Sequence, residues 1–157
     1  MKLYLMRHGE ASASDISSEQ ELTDDGRAGI ELLATHLLGE RLVLAQVYHS
    51  GKKRAQQTSE IMAGLISPGL PVNVLNNIKP GDEPALLLPV MDLWTEDSLV
   101  VSHLPFVPRL MSLLTKTDEH LELINYEPGT IICLEKNTHS DWDINWTTSP
   151  SKILSQG

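Results

Sequence analysis

Cysteine occurs once in the 157 residues, at Cys133, which excludes an internal disulfide. It stands in the apolar run Ile131-Ile132-Cys133-Leu134 and reads as a small buried hydrophobe of a strand. Positive charge is also scarce: 12 Lys and Arg face 21 Asp and Glu, a formal charge of -9. Nucleic acid and anionic membranes demand a broad positive footprint, so neither is expected as a partner, and any anion site must be local. No apolar stretch approaches the roughly twenty residues of a membrane span. The opening run Met1 to Met6 is cut short by Arg7 and His8 before it could form the core of a signal peptide. The expectation is a cytoplasmic protein. His36, His49, His120 and His139 show no metal-ligand spacing and read as surface or structural. Internal repeats and low-complexity segments are missing too. What is present is an apolar fraction of 41%, enough for one sizeable core, in a length that suits one domain over 1–157.

Hydrophobic patterning predicts strands alternating with helices. Lys2 to Met6 is a short continuous apolar strand of the kind buried on both faces in a parallel sheet, and it delivers Arg7-His8-Gly9 to its carboxyl end. A Ser-rich loop spans Ala11 to Gln20. Thr23 can then cap a helix whose first turn carries Asp24 and Asp25, whose stripe is Ile30, Leu33, Ala34, Leu37 and Leu38, and whose stop is near Gly39. A second strand, Leu44 to His49, leads through Ser50-Gly51 to a helix marked by Ala55, Thr58, Met62, Leu65 and Ile66. Val72 to Leu75 reads as a third strand, Asn76 to Pro84 as a loop, and Ala85 to Leu93 as a helix containing Pro89. Ser98 to Ser102 is a fourth strand ending at His103, followed by a helix through Val107, Leu110, Met111 and Leu114. An acidic, loop-like interval, Thr115 to Gly129, precedes a strand over Thr130 to Glu135. The alternation from Trp142 to Trp146 gives it an antiparallel partner at a sheet edge, with both tryptophans packed on one face.

This order argues for an α/β three-layer sandwich with a mainly parallel central sheet, and ligand sites in such sheets lie outside the carboxyl ends of the strands. Three groups stand there: Arg7-His8, Ser50 to Arg54, and His103. Phosphoryl transfer needs a nucleophile partly deprotonated near neutrality, cations for the phosphate oxygens and a proton donor for the leaving group. Histidine meets the first demand unaided. Arginine suits the second, because its planar guanidinium offers forked donors and keeps its charge. Arg54, at the start of a helix, could bring a second guanidinium to the edge that carries Arg7 and His8, and His103 could add a further donor.

Four segments in order resemble the histidine phosphatase superfamily. Leu5-Met6-Arg7-His8-Gly9-Glu10 is similar to its Arg-His-Gly signature and Leu22-Thr23-Asp24-Asp25-Gly26 to its Leu-Thr-x-x-Gly segment. Ser50-Gly51-Lys52-Lys53-Arg54-Ala55-Gln56-Gln57-Thr58 resembles its Ser-x-x-x-Arg-Ala-x-Gln-Thr block, and Val101-Ser102-His103 the segment bearing its second histidine. The short length and Ser102-His103-Leu104-Pro105-Phe106-Val107 look most like the SixA-type phosphohistidine phosphatases. The resemblance implies a phosphoglycerate mutase-like fold and a catalytic set of His8 as nucleophile with Arg7, Arg54 and His103 binding the phosphoryl group. It implies no metal and no organic cofactor. For the proton donor, Asp82 or Glu83 in Pro80-Gly81-Asp82-Glu83 is the nearest match to the acid many members use, and Glu10 is a rival. Gln20 stands where the family often has arginine, which should weaken affinity for strongly anionic small molecules.

The expected partner is a phosphohistidine-bearing phosphotransfer protein, of a signalling relay or of a sugar-phosphotransferase system, acted on by a monomer. Two alternatives stand beside it: a phosphomonoesterase for small metabolites, and a non-catalytic phosphohistidine-binding module, for which keeping His8 would bring little. Ser50 could contact phosphate or cap the following helix. Lys52 and Lys53 read as a solvated helix start.

Overall fold

The computed structural model describes residues 1–13 and 19–156. Half of the Ser-rich loop foreseen from Ala11 to Gln20, residues 14–18, lies outside them. Six strands form one sheet in the order β3-β2-β4-β1-β5-β6, with β1 Lys2–Arg7, β2 Gln46–His49, β3 Val72–Val74, β4 Ser98–Ser102, β5 Ile131–Lys136 and β6 Trp142–Thr148. β3, β2, β4 and β1 pair in parallel, whereas β5 runs antiparallel to β1 and to β6. The antiparallel β5–β6 hairpin therefore closes one side of the sheet next to β1, as expected, with β6 as that edge and β3 as the other.

Helices cover both faces. On one, α1 (Asp24–Gly39), α2 (Lys53–Ile66) and the C-terminal α6 (Pro150–Gln156) pack Ile30, Leu33, Leu37, Met62 and Ile153 against Tyr4, Met6, Val47, Leu99, Val101 and Cys133. On the other, Leu3, Leu5, Val100, Ile132 and Leu134 meet α4 (Phe106–Thr115) through Phe106, Val107, Leu110, Met111 and Leu114. A 3-10 turn (Pro84–Leu87), α3 (Leu88–Met91) and α5 (His120–Leu123) complete that layer. Alternate residues of β1 thus feed two separate cores, which is why its sequence is continuously apolar.

Local chemistry explains most boundaries. The Thr23 hydroxyl accepts from the Gly26 N–H at 2.9 Å, and Asp24 and Asp25 occupy the first turn of α1. A Cβ on Gly26 would sit 2.1 Å from the Glu10 carbonyl oxygen, so this glycine lets the start of α1 lie directly on the chain that leaves β1. Gly129, at φ +80°, would place a Cβ 2.8 Å from Pro150 and adopts a backbone that favours glycine in any case.

Three expectations need correction. The helix expected over Ala85 to Leu93 is two short pieces, because Pro89 cannot donate to the turn before it and Pro84 starts a tighter 3-10 turn. Trp142 and Trp146 do not share a face: a β-bulge shifts the register between Cys133 and Leu134, so Cys133 faces Trp146 but Leu134 faces Ile144. Trp146 joins the core with Tyr4, ring centroids 6.0 Å apart, and Trp142 joins the opposite one. The interval from Thr115 to Gly129 holds the short helix α5, and α6 adds an element that hydrophobic spacing did not suggest. Its signal was Ser149-Pro150, since the Ser149 hydroxyl accepts from the Lys152 N–H and proline suits a first helical position.

Candidate active site

Parallel pairing of β2, β4 and β1 sets three strand ends side by side, with Arg7 opposite Ser102 and His49 opposite Val101. His8, Ser50 and His103 follow those ends, and all three are buried. The Arg54 guanidinium arrives from the first turn of α2, with the whole residue only 6% exposed. The structure therefore brings His8, Arg7, Arg54 and His103 to one edge of the sheet, with Ser50 between them.

His8 is held from several sides. Its backbone N–H donates to the Ser102 carbonyl at 3.0 Å, and its own carbonyl accepts from the Gly129 N–H at 3.0 Å. The ring Nδ1 lies 2.7 Å from the Gly9 carbonyl oxygen, which can only accept. That bond fixes the proton on Nδ1 and leaves the lone pair on Nε2, toward which Arg54 Nε donates at 3.3 Å. The next bonds brace the pair: the Gly9 N–H donates to the Thr58 hydroxyl at 3.0 Å, and that hydroxyl donates to the Arg54 carbonyl at 2.8 Å. Thr58, an apolar stripe position by spacing alone, is thus a brace between the two site segments.

His103 Nε2 is 2.6 Å from Ser50 Oγ, and the His8 and His103 rings lie 5.1 Å apart between centroids. Ser50 Oγ also accepts from the Lys52 N–H at 3.3 Å, but Lys52, not Ser50, is the N-cap of α2. Arg7 Nη1 donates to the Tyr126 carbonyl at 2.7 Å. Among the described residues, two buried side-chain atoms have no hydrogen-bond partner, Arg7 Nε and His103 Nδ1, and both belong to this cluster.

Electrostatics follow from this crowding of cations. Burial lowers the His8 pKa to about 4, and the charges of Arg54 and Arg7 push the same way against the Gly9 hydrogen bond. His103 is lowered further, first by burial and then by His8, Arg54, Lys52 and Arg7. Both rings are neutral at pH 7, and the surrounding positive field favours an anion. A neutral imidazole whose unprotonated Nε2 already faces a guanidinium donor can attack a phosphorus whose oxygens take over that donor.

The candidate acids separate. Asp82 lines a polar groove of about 570 Å³ together with Ser50, Gly51, Lys52, Asn76, Asn77 and Lys79. One Asp82 oxygen accepts from the Lys79 N–H at 2.9 Å. Glu83 is exposed and pairs with Arg109 at 3.2 Å. Glu10 is exposed, accepts from the Thr23 hydroxyl at 2.8 Å and faces a different cavity beside Asp25, Ile30 and Pro150. Glu21 pairs with Lys53 at 3.0 Å and accepts from Gln57, whose carbonyl oxygen accepts from the Leu22 N–H at 2.8 Å. Gln20, beside it, is half-buried.

Of the remaining histidines, His36 pairs with Glu40, His139 is exposed, and His49 and His120 are buried. Among the described residues there is no group of three or more His, Cys, Asp or Glu suited to a metal ion, and no helix long and apolar enough to cross a membrane.

Comparison with known proteins agrees with this geometry. Residues 3–79 match the histidine phosphatase superfamily (branch 1). The phosphohistidine phosphatase SixA of Escherichia coli K12 is 26% identical over 98% of this chain and 96% of its own length. A structure of the protein histidine phosphatase SixA complexed with tungstate superimposes with a TM-score of 0.83 at 26% identity, covering 98% of this chain and 99% of the other. The fold extends to a phosphoserine phosphatase from Entamoeba histolytica, solved with 3-phosphoglyceric acid, at TM-score 0.76 and 17% identity over 98% of this chain and 99% of that one. With Arg7-His8-Gly9 at the end of β1, Arg54 in the first turn of α2 and His103 after β4 meeting at one sheet edge, the chain belongs to the histidine phosphatase superfamily and is a hydrolase acting on phosphoryl groups.

Proposed function

We propose that this enzyme dephosphorylates a phosphohistidine on a phosphotransfer protein through a covalent phosphoryl group on His8. The observation that carries the reading is the fixed Nδ1–H of His8, which leaves Nε2 unprotonated and facing the Arg54 guanidinium. Arg7, Arg54 and His103 hold the phosphoryl oxygens, and the unpaired Arg7 Nε and His103 Nδ1 are the cluster's unmet polar capacity. Nε2 attacks phosphorus, the P–N bond to the substrate imidazole breaks, and the departing ring takes up a proton. Water then attacks the same phosphorus, the P–Nε2 bond breaks, and phosphate leaves with His8 restored.

Histidine as the leaving group suits a site with modest acid assistance, because an imidazole departs far more readily than an alkoxide. Asp82 is the acid this arrangement favours, since it shares a groove with Ser50, whereas Glu10 faces away into another cavity. Likeness to SixA, and Gln20 in place of an arginine at the rim, support a protein substrate over a strongly anionic metabolite.

The polar groove favours a second reading, a phosphomonoesterase for small metabolites. Its Lys52, Asn76, Asn77 and Lys79 could contact the leaving group of an ester. Phosphate release from a phosphohistidine-bearing phosphotransfer protein, measured beside release from sugar and glycerate phosphates, separates the two. Faster release from the phosphoprotein, lost in His8→Ala, is the expected result; preference for an ester would move the enzyme to the metabolite reading.

A further inference from the structure

A hydrogen-bonded bridge outside the phosphate cluster reaches one of its arginines. Arg7 Nη1 donates to the Tyr126 carbonyl at 2.7 Å, and the phenol of the same tyrosine lies 2.6 Å from His120 Nδ1. The other ring nitrogen, His120 Nε2, is 2.8 Å from Ser112 Oγ on α4. His120 is 2% exposed, and its ring meets that of Tyr126 edge-on, centroids 5.8 Å apart at 88°. Both ring nitrogens of a buried histidine are therefore spoken for by hydroxyls, one on each side.

The bridge joins two parts of the site. α4 follows His103 directly, and the Val107 N–H donates to the His103 carbonyl at 2.9 Å. Tyr126 lies in the segment from Ile124 to Thr130, which is tied to β1 where the Arg7 N–H donates to Thr130 and the Gly129 N–H donates to His8. These backbone bonds hold the segment that carries the Tyr126 carbonyl, and the Tyr126 phenol ties the residue itself to His120. An arginine side chain has several rotatable bonds, and forked recognition of an oxyanion depends on the plane of its guanidinium. Held at Nη1, Arg7 keeps that plane.

We infer that Ser112, His120 and Tyr126 are positioning residues that set the Arg7 guanidinium for phosphoryl binding by clamping the Tyr126 carbonyl to α4. The inference rests on the reading of Arg7 as a phosphoryl ligand. None of the three touches the reacting atoms. Their effect passes through Arg7 alone, so it belongs to oxyanion affinity and disappears when Arg7 is absent.

The test is a double-mutant cycle read by calorimetric binding of tungstate, an oxyanion that stands in for the phosphoryl group. Tyr126→Phe keeps the ring and deletes the hydroxyl; Ser112→Ala releases the far end of the bridge should Tyr126→Phe lower the melting temperature. Tyr126→Phe is expected to weaken tungstate binding about tenfold, a loss in the range of one hydrogen bond to a charged group. In the Arg7→Ala background the same change is expected to have no further effect. Equal weakening in both backgrounds, or tungstate affinity unchanged by both Tyr126→Phe and Ser112→Ala, would overturn the positioning role while leaving Arg7 a ligand. Unchanged affinity in Arg7→Ala itself would overturn both readings.

Discussion

The two ends of the central sheet use similar side chains in opposite ways. At the carboxyl end, the cations Arg54, Arg7 and Lys52 bear on His8 and His103 and lower the imidazole pKa, and His8 lowers that of His103 as well. At the amino end, Lys2, Asp97 and Glu135 bear on Tyr4 and Cys133 with mixed signs. There the Asp97 carboxylate accepts from the Lys2 N–H at 2.7 Å, and its carbonyl accepts from the N–H groups of Ala45 and Gln46. A cavity at that end, between Lys2, Glu40, Arg41 and Asp97, is lined by both charges. Charged residues at strand ends are thus ordinary; a set of cations converging on buried neutral imidazoles, in a chain of net charge -9, is what marks the end that handles an anion.

The contrast can be tested by removing its members. Arg54→Ala takes away a buried guanidinium and is expected to lower kcat/KM about a hundredfold, while a thermal melt reports the fold intact, since charge-assisted bonds of this kind are individually strong. Asp82→Asn is expected to cost about tenfold on an ester such as p-nitrophenyl phosphate and little on a phosphohistidine protein, because general acid assistance matters most for the poorer leaving group. Glu10→Gln, placed on the other cavity, should leave both rates alone; the reverse pattern would reassign the acid.

Much of the site was legible because its chemistry follows strand ends and segments of recognisable form. β4 occupies Ser98 to Ser102 as its β-branched run indicates, and Thr23 caps α1 as its side chain allows. Gly26 and Thr58 are quoted in those segments for their identity, yet the reasons for them, a close approach to the Glu10 carbonyl and a brace between Gly9 and Arg54, are properties of packing across the fold. The bulge that parts Trp142 from Trp146 depends on pairing with β5, which period-two alternation within one strand does not encode. Tyr126 was invisible as a site residue because it contributes a carbonyl, which every residue has.

Acid sharpens the contrast in another way. His8, His103, His49 and His120 all have pKa values below that of a free imidazole, chiefly through burial. The unfolded chain therefore takes up protons before the folded one as pH drops. Their contribution to stability is complete above about pH 6.5 and is lost as pH falls from there toward the folded value, about 4 for His8. Melting temperature should decline across that window, and saturating tungstate should raise it at each pH by binding only the folded state. A flat profile would mean that these rings are accessible to protons in the fold.

The smallest effect belongs to the amino end. Asp97→Ala is expected to cost about 1 kcal/mol of stability through the lost bond to the Lys2 N–H, with kcat/KM unchanged. A catalytic defect there would erase the distinction between the two ends.

The covalent step is the central claim, and trapping it is the most direct test. Enzyme mixed briefly with a labelled phosphohistidine protein and quenched in base should carry label that is stable to alkali, released by acid and found on His8 by mass spectrometry, with none on His8→Ala. Label on another residue, or full turnover by His8→Ala, would contradict the mechanism.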